Sequence, residues 1–89
     1  MSDSENAAKL IEALKAAERE PAQIALPMLN GLAGLAQSDR EQPLEVEEAR
    51  ADAFLAICEV GKALHRGKPA DQLWTSAIDA AERWLSLAK

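Results

Sequence analysis

Residues 43–66, PLEVEEARADAFLAICEVGKALHR, have the clearest helix pattern in the chain. Pro43 suits a first helical position, because its missing N–H would have no intrahelical partner there. Glutamates follow Pro43 and basic residues precede Gly67, an order that complements the helix dipole. Gly67 can adopt the left-handed conformation that ends many helices. We therefore predict a helix over residues 43–66.

This helix has a broad apolar face. At about 100° per residue, charged side chains share one strip and apolar side chains occupy the opposite side. A face of this width is typical of a helix that packs against two or more others. We therefore expect the rest of the chain to pack around residues 43–66. The apolar face consists of Val46, Ala49, Ala53, Ala56, Ile57, Val60 and Leu64.

One border of that face is chemically mixed, and we call it the mixed edge. Its members recur at spacings of three and four, so they lie on one side of the helix. Such a border can be an ordinary amphipathic boundary, with the Arg50 stem on apolar atoms and its head in water. Alternatively it is a binding surface, with Gly61 allowing close approach of a partner. The mixed edge consists of Glu47, Arg50, Phe54, Cys58, Gly61 and His65.

Three further helices are predicted, over residues 4–20, 22–37 and 70–88. We expect the second to be broken or shortened near Pro27, which cannot donate a backbone hydrogen bond. Gly31 and Gly34 disfavour that helix by about 1 kcal/mol each relative to alanine. We expect close packing against another backbone to compensate for them.

The predicted fold is all-α. We expect one helical domain over residues 1–89, a small antiparallel bundle of about four helices joined by short connections. The core should consist mainly of aliphatic side chains at helical spacing. The predicted core residues are Leu10, Ile11, Leu14, Leu29, Leu32, Leu35, Val46, Ala53, Ile57, Val60, Leu64, Leu73, Ala77, Ile78, Ala81, Trp84 and Leu85.

The negative net charge of the chain argues against two classes of partner, nucleic acids and anionic membranes. Asp and Glu number 15 against 10 Lys and Arg, which gives a formal net charge of −5. Nucleic-acid binding normally needs a basic face, and anionic membranes attract basic segments, so neither partner is expected. The sequence also has no apolar run of transmembrane length and no signal-peptide pattern at its start. We expect a cytoplasmic protein.

The residue types that perform catalysis or bind metals are scarce. Cys58 and His65 are the only cysteine and histidine, and two helical turns separate them. One metal ion would need further ligands from elsewhere, and Cys–His catalysis would need a shorter distance. The carboxylates cluster on solvated helix strips. We therefore expect no metal, no cofactor and no enzymatic activity.

The leading interpretation is a small protein–protein interaction module, such as an adaptor, inhibitor or chaperone-like factor. Its partner would be another protein or a second copy of the chain, the latter as a homodimer. The predicted contact residues are Arg50, Phe54, Cys58, Gly61 and His65, with Trp74 as an additional anchor because tryptophan is enriched at binding hot spots.

Three alternatives remain open from the sequence. The first is a structural homo-oligomer that uses the same edge. The second is a phosphoacceptor or carrier-type helical domain that uses His65 or Ser38. The third is an acidic mimic of nucleic acid that blocks a basic protein.

Overall fold

Four α-helices make up the protein in a computed structural model that describes residues 3–37 and 41–89. They are α1 (Asp3–Glu18), α2 (Ala22–Leu35), α3 (Leu44–His65) and α4 (Asp71–Ala88). No strand occurs in these two ranges. The predicted all-α class is confirmed, and the four helices lie close to the predicted ranges.

The helices form an antiparallel bundle in which each helix packs against two neighbours. Contacts join α1 to α2, α2 to α3, α3 to α4 and α4 to α1, whereas the diagonal pairs have no Cα atoms within 8 Å of each other in the described part of the chain. The bundle is elongated, with extents of 37 × 19 × 18 Å. The broad apolar face of α3 therefore contacts two helices, as its width indicated. The expectation that all the others surround α3 is wrong, because α1 lies diagonally opposite.

The ends of α3 follow from local chain chemistry. Pro43 is the N-cap residue, with φ −53° and ψ 143°, so it lies one position before the first helical residue and not at that residue as predicted. At the other end Gly67 has a φ of +66°. Its N–H bonds to the Leu64 carbonyl at 3.2 Å, and the Lys68 N–H bonds to the Ala63 carbonyl at 2.9 Å. This pair of bonds is the Schellman motif, so the predicted glycine cap is confirmed.

The predicted break at Pro27 is not present. Although α2 is the shortest of the four helices, it runs without interruption from Ala22 to Leu35, with Pro27 inside it. Pro27 is exposed, and Ala25 and Leu29 are buried on either side of it. Packing of that apolar face holds the helix together across the proline, although one backbone hydrogen bond is lost.

The explanation expected for Gly31 and Gly34 is also wrong. Both glycines are exposed on the outer side of α2. A Cβ atom added to either would meet no atom within 4 Å, so neither allows close contact with another helix. They reduce the intrinsic stability of α2 without a packing role in the bundle.

The core combines aliphatic and tryptophan side chains with many alanines. All the predicted core residues are buried or half-buried, with Leu35, Leu64, Leu73, Ile78 and Leu85 in the second group. The largest fully buried side chain is Trp84, whose indole Nε1–H donates to Asp3 Oδ2 at 3.3 Å. Buried residues absent from the predicted core are Trp74 and the alanines at positions 7, 17, 25, 36, 49, 63 and 70.

Candidate functional site

A groove lies between α2 and the C-terminal half of α3, and we call it the α2–α3 groove. Its volume is about 590 Å³. That size is within the range of ligand-binding clefts in proteins. Its lining residues are Leu26, Leu29, Asn30 and Ala33 from α2, with Ile57, Cys58, Gly61, Lys62, His65 and Arg66 from α3 and its C-cap.

The floor of the groove is apolar because it continues the core. Leu29 is 4% exposed and Ile57 is 2% exposed, and both belong to the buried cluster. The smallest residues of the lining are Ala33 and Gly61, one on each helix. A Cβ atom added to Gly61 would meet no atom within 4 Å. The missing side chain at Gly61 thus contributes to the open space.

The rim of the groove is basic at the end where α3 terminates. Lys62, His65 and Arg66 are all exposed there, and the lining contains no acidic residue. Lys62 Nζ lies 3.4 Å from Glu59 Oε1, but both side chains are more than half exposed, so water weakens this ion pair. Two cations and an imidazole thus face the groove in a chain whose net charge is −5.

The structure separates the predicted contact residues into two groups. Cys58, Gly61 and His65 line the α2–α3 groove, as one part of the mixed edge. Arg50 and Phe54 instead line a smaller pocket of about 330 Å³, together with Gln37, Ala51 and Leu55. Only the C-terminal half of the mixed edge therefore borders the groove.

Arg50 joins two helices. Its Nη1 donates to the Ala36 carbonyl at 2.6 Å, at the C-cap of α2. Its Nε and Nη2 donate to the two carboxylate oxygens of Glu47 at 3.1 and 3.0 Å. The hydrogen bond from Arg50 lowers the pKa of Glu47, desolvation opposes this shift, and the positive charge of Arg50 adds to it. Through these bonds the guanidinium group links the C-terminal end of α2 to α3.

Trp74 lies away from both pockets. Its side chain is 5% exposed and belongs to the buried cluster, on α4, which lies diagonally opposite α2 in the bundle. The ring therefore packs in the bundle instead of standing on the surface with the mixed edge. We exclude it from the candidate site.

Sequence reasoning missed the α2 side of the groove. Four residues on consecutive turns of α2 share the side of that helix that lines the groove: Leu26, Leu29, Asn30 and Ala33. Their spacing would have indicated a common face if residues 22–35 had been treated as a single helix. The expected break at Pro27 separated Leu26 from the other three.

Other kinds of site have less structural basis. In the described ranges, no three side chains of the His, Cys, Asp or Glu types come together as a metal-ligand set. None of the helices there has the length and apolar character needed to cross a membrane. His65 is exposed, as a phosphoacceptor must be. Ser38, the other predicted acceptor, lies outside the described residues.

Comparison of the chain with protein families, with curated proteins and with solved structures found no significant match.

Proposed function

We propose that this protein is a non-catalytic interaction module that binds a segment of another protein in the α2–α3 groove. The observation that supports this proposal is the groove itself, in which the nearly buried Leu29 and Ile57 form the floor and the half-buried Leu26 and Ala33 form an apolar wall. Grooves of this kind accept the apolar face of an amphipathic helix. A cytoplasmic location is part of the proposal, because the one cysteine lines the groove as a free thiol and reducing compartments preserve free thiols.

The length of the groove sets the length of the bound segment. Residues 57–66, from α3 and its C-cap, border it, and at 1.5 Å per residue they span about 14 Å. A partner helix lying along this distance would contact it with two to three turns. Apolar anchors at positions i, i+4 and i+7 of such a helix would lie on the floor.

Filling the groove tests the proposal. A leucine in place of Gly61 meets no obstacle at its Cβ atom. In a helix its side chain points back toward the preceding turn, which here contains Ile57 and Cys58. Gly61→Leu should therefore cover the floor and keep the bundle folded. Gly31→Leu is the matched control, because Gly31 is an exposed α2 residue outside the lining.

The two variants and the unchanged protein would be used to capture partners from a lysate of the source organism by chemical crosslinking. We expect one partner to be captured by the unchanged protein and by Gly31→Leu but not by Gly61→Leu. Circular dichroism would establish that both variants remain helical. Equal capture by all three folded proteins would refute binding in the groove.

A second candidate function is self-association through the outer side of α2. This helix contains no charged residue, and Ile24 is 50% exposed on it beside Pro27 and Gly31. Uncharged exposed helix surfaces are typical of homodimer contacts. Light scattering on a sizing column would then give a dimer for the unchanged protein and a monomer for Ile24→Glu. A monomeric unchanged protein at high concentration would contradict this candidate.

A further inference from the structure

We infer that the segment bound in the α2–α3 groove is an acidic amphipathic helix whose carboxylates contact Lys62, His65 and Arg66. This inference rests on the proposed function and adds the chemical identity of the partner. It follows from the charge of the groove, which is opposite to the charge of the whole protein.

The distribution of charge favours an acidic partner at this place. The lining holds Lys62 and Arg66 and no carboxylate, although the chain as a whole has 15 acidic residues. At physiological ionic strength, charges are screened over about 8 Å, so a bound segment responds mainly to the rim. His65 adds an N–H donor on the same rim. Among protein side chains, carboxylates are the groups that form charge-assisted hydrogen bonds with ammonium and guanidinium donors.

The same rim discriminates against basic segments. A lysine or arginine of a partner that approached Lys62 or Arg66 would meet a like charge, which disfavours the wrong complex. Glu59, whose Oε1 lies 3.4 Å from Lys62 Nζ, does not belong to the lining of the groove. A basic segment is therefore attracted to other surfaces of this acidic protein but not to the groove.

The order of groups along the groove predicts the pattern of the partner. The basic residues occupy the last turn of α3 and its C-cap, and Ile57 of the apolar floor lies about one turn before Lys62. A matching helix has two or more carboxylates within one turn, followed or preceded by apolar anchors at spacings of three and four. One end of the segment is thus acidic, and its middle is apolar.

A displayed library of random 16-residue peptides tests this inference without knowledge of the natural partner. Peptides would be selected on the unchanged protein, and those that also bind Gly61→Leu would be removed. We expect the remaining peptides to be enriched in Asp and Glu next to apolar anchors. For a synthetic peptide of this set, replacing the acidic residues with lysine should weaken binding by about tenfold or more.

Charge reversal of the rim supplies the matched control. A variant with both Lys62→Glu and Arg66→Glu keeps the apolar floor, and both positions are exposed, so it should remain folded with a stability lowered slightly by acidic residues at the C-terminal end of α3. This variant should prefer the lysine form of the peptide over the acidic form, the reverse of the unchanged protein. Thermal unfolding monitored by circular dichroism would establish that it is folded.

The outcomes separate the inference from the proposed function. Peptides that require an open groove but are neutral or basic would overturn the acidic partner and leave the groove as a binding site. Failure to recover any peptide that depends on Gly61 would overturn both. Acidic peptides whose binding does not change in the charge-reversed variant would also overturn the assignment of the rim.

Discussion

Replacing Arg50 with alanine should lower the free energy of unfolding by about 2–3 kcal/mol. Arg50 is 17% exposed and makes a 2.6 Å hydrogen bond to the Ala36 carbonyl, on a residue that is fully buried. A hydrogen bond that involves a charged group contributes about 1.5–3 kcal/mol, and the partly exposed pair with Glu47 contributes about 0.2–1 kcal/mol. For a domain of this size the melting temperature should fall by about 10–20 °C.

Urea and thermal unfolding, followed by circular dichroism, would measure this change. Arg83→Ala is the matched control, because Arg83 is 61% exposed and lies 3.5 Å from the exposed Asp52. We expect that control to cost less than about 1 kcal/mol. Arg50→Lys should recover only part of the loss, since one ammonium group cannot replace a guanidinium that bonds to two partners at once. If Arg50→Ala is as stable as Arg83→Ala, then Arg50 does not hold α2 against α3.

The pH dependence of this difference gives a second test. Arg50 holds the pKa of Glu47 below its ordinary value of 4.5. A carboxyl group with a lowered folded pKa stabilises the protein above its unfolded pKa and loses that contribution as pH falls through the folded pKa. The stability difference between the unchanged protein and Arg50→Ala should therefore be constant above about pH 5 and shrink below 4.5. The part that comes from the Ala36 carbonyl should persist, because a carbonyl does not titrate.

Three further predictions concern the ends and the interior of the helices, and urea unfolding measures each. Gly67→Ala should lower the free energy of unfolding by about 1–2 kcal/mol, because Gly67 has a left-handed backbone. Gly61→Ala should instead raise it by about 0.5–1 kcal/mol, since Gly61 lies inside a helix with free space at its Cβ position. Equal effects of the two substitutions would contradict the assignment of Gly67 as the helix cap. Asp3→Ala should cost about 1–3 kcal/mol and alter tryptophan fluorescence, since it removes the acceptor of the buried Trp84 N–H. Asp3→Asn should retain most of the stability. If Asp3→Ala has the same free energy of unfolding as the unchanged protein, this hydrogen bond contributes nothing to stability. Pro27→Ala should gain about 1–3 kcal/mol by restoring a helical hydrogen bond; a loss of stability would mean that the proline supports the helix.

Local rules predicted the boundaries of α3 well and failed in α2. Pro43 and Gly67 act through their own backbone angles, so the sequence next to them is enough to locate the helix ends. Pro27 disfavours a helix by the same local rule, yet Ala25 and Leu29 are buried on either side of it. Tertiary packing outweighs the local cost there, and packing is not visible within a short window of sequence.

In the core and in the candidate site, features within one helix could be predicted from the sequence, and features that depend on the packing of two helices could not. Hydrophobic periodicity identified the large aliphatic core residues but gave no reason to expect buried alanines such as Ala25 and Ala36. Cys58, Gly61 and His65 could be grouped because they share one helix. Their α2 partners could not be grouped with them, since the pairing of two helices depends on the whole bundle. The bond from Arg50 to a backbone carbonyl 14 residues earlier likewise has no local pattern.

Alkylation of Cys58 tests the assignment of the α2–α3 groove most directly. This thiol is the only one in the chain and lines the groove, so its rate of reaction with N-ethylmaleimide reports whether the groove is covered. With a selected peptide at about ten times its Kd, roughly nine-tenths of the protein is occupied, and the rate should fall by about tenfold. An unchanged rate under those conditions would show that the bound segment lies elsewhere and would contradict binding in the groove.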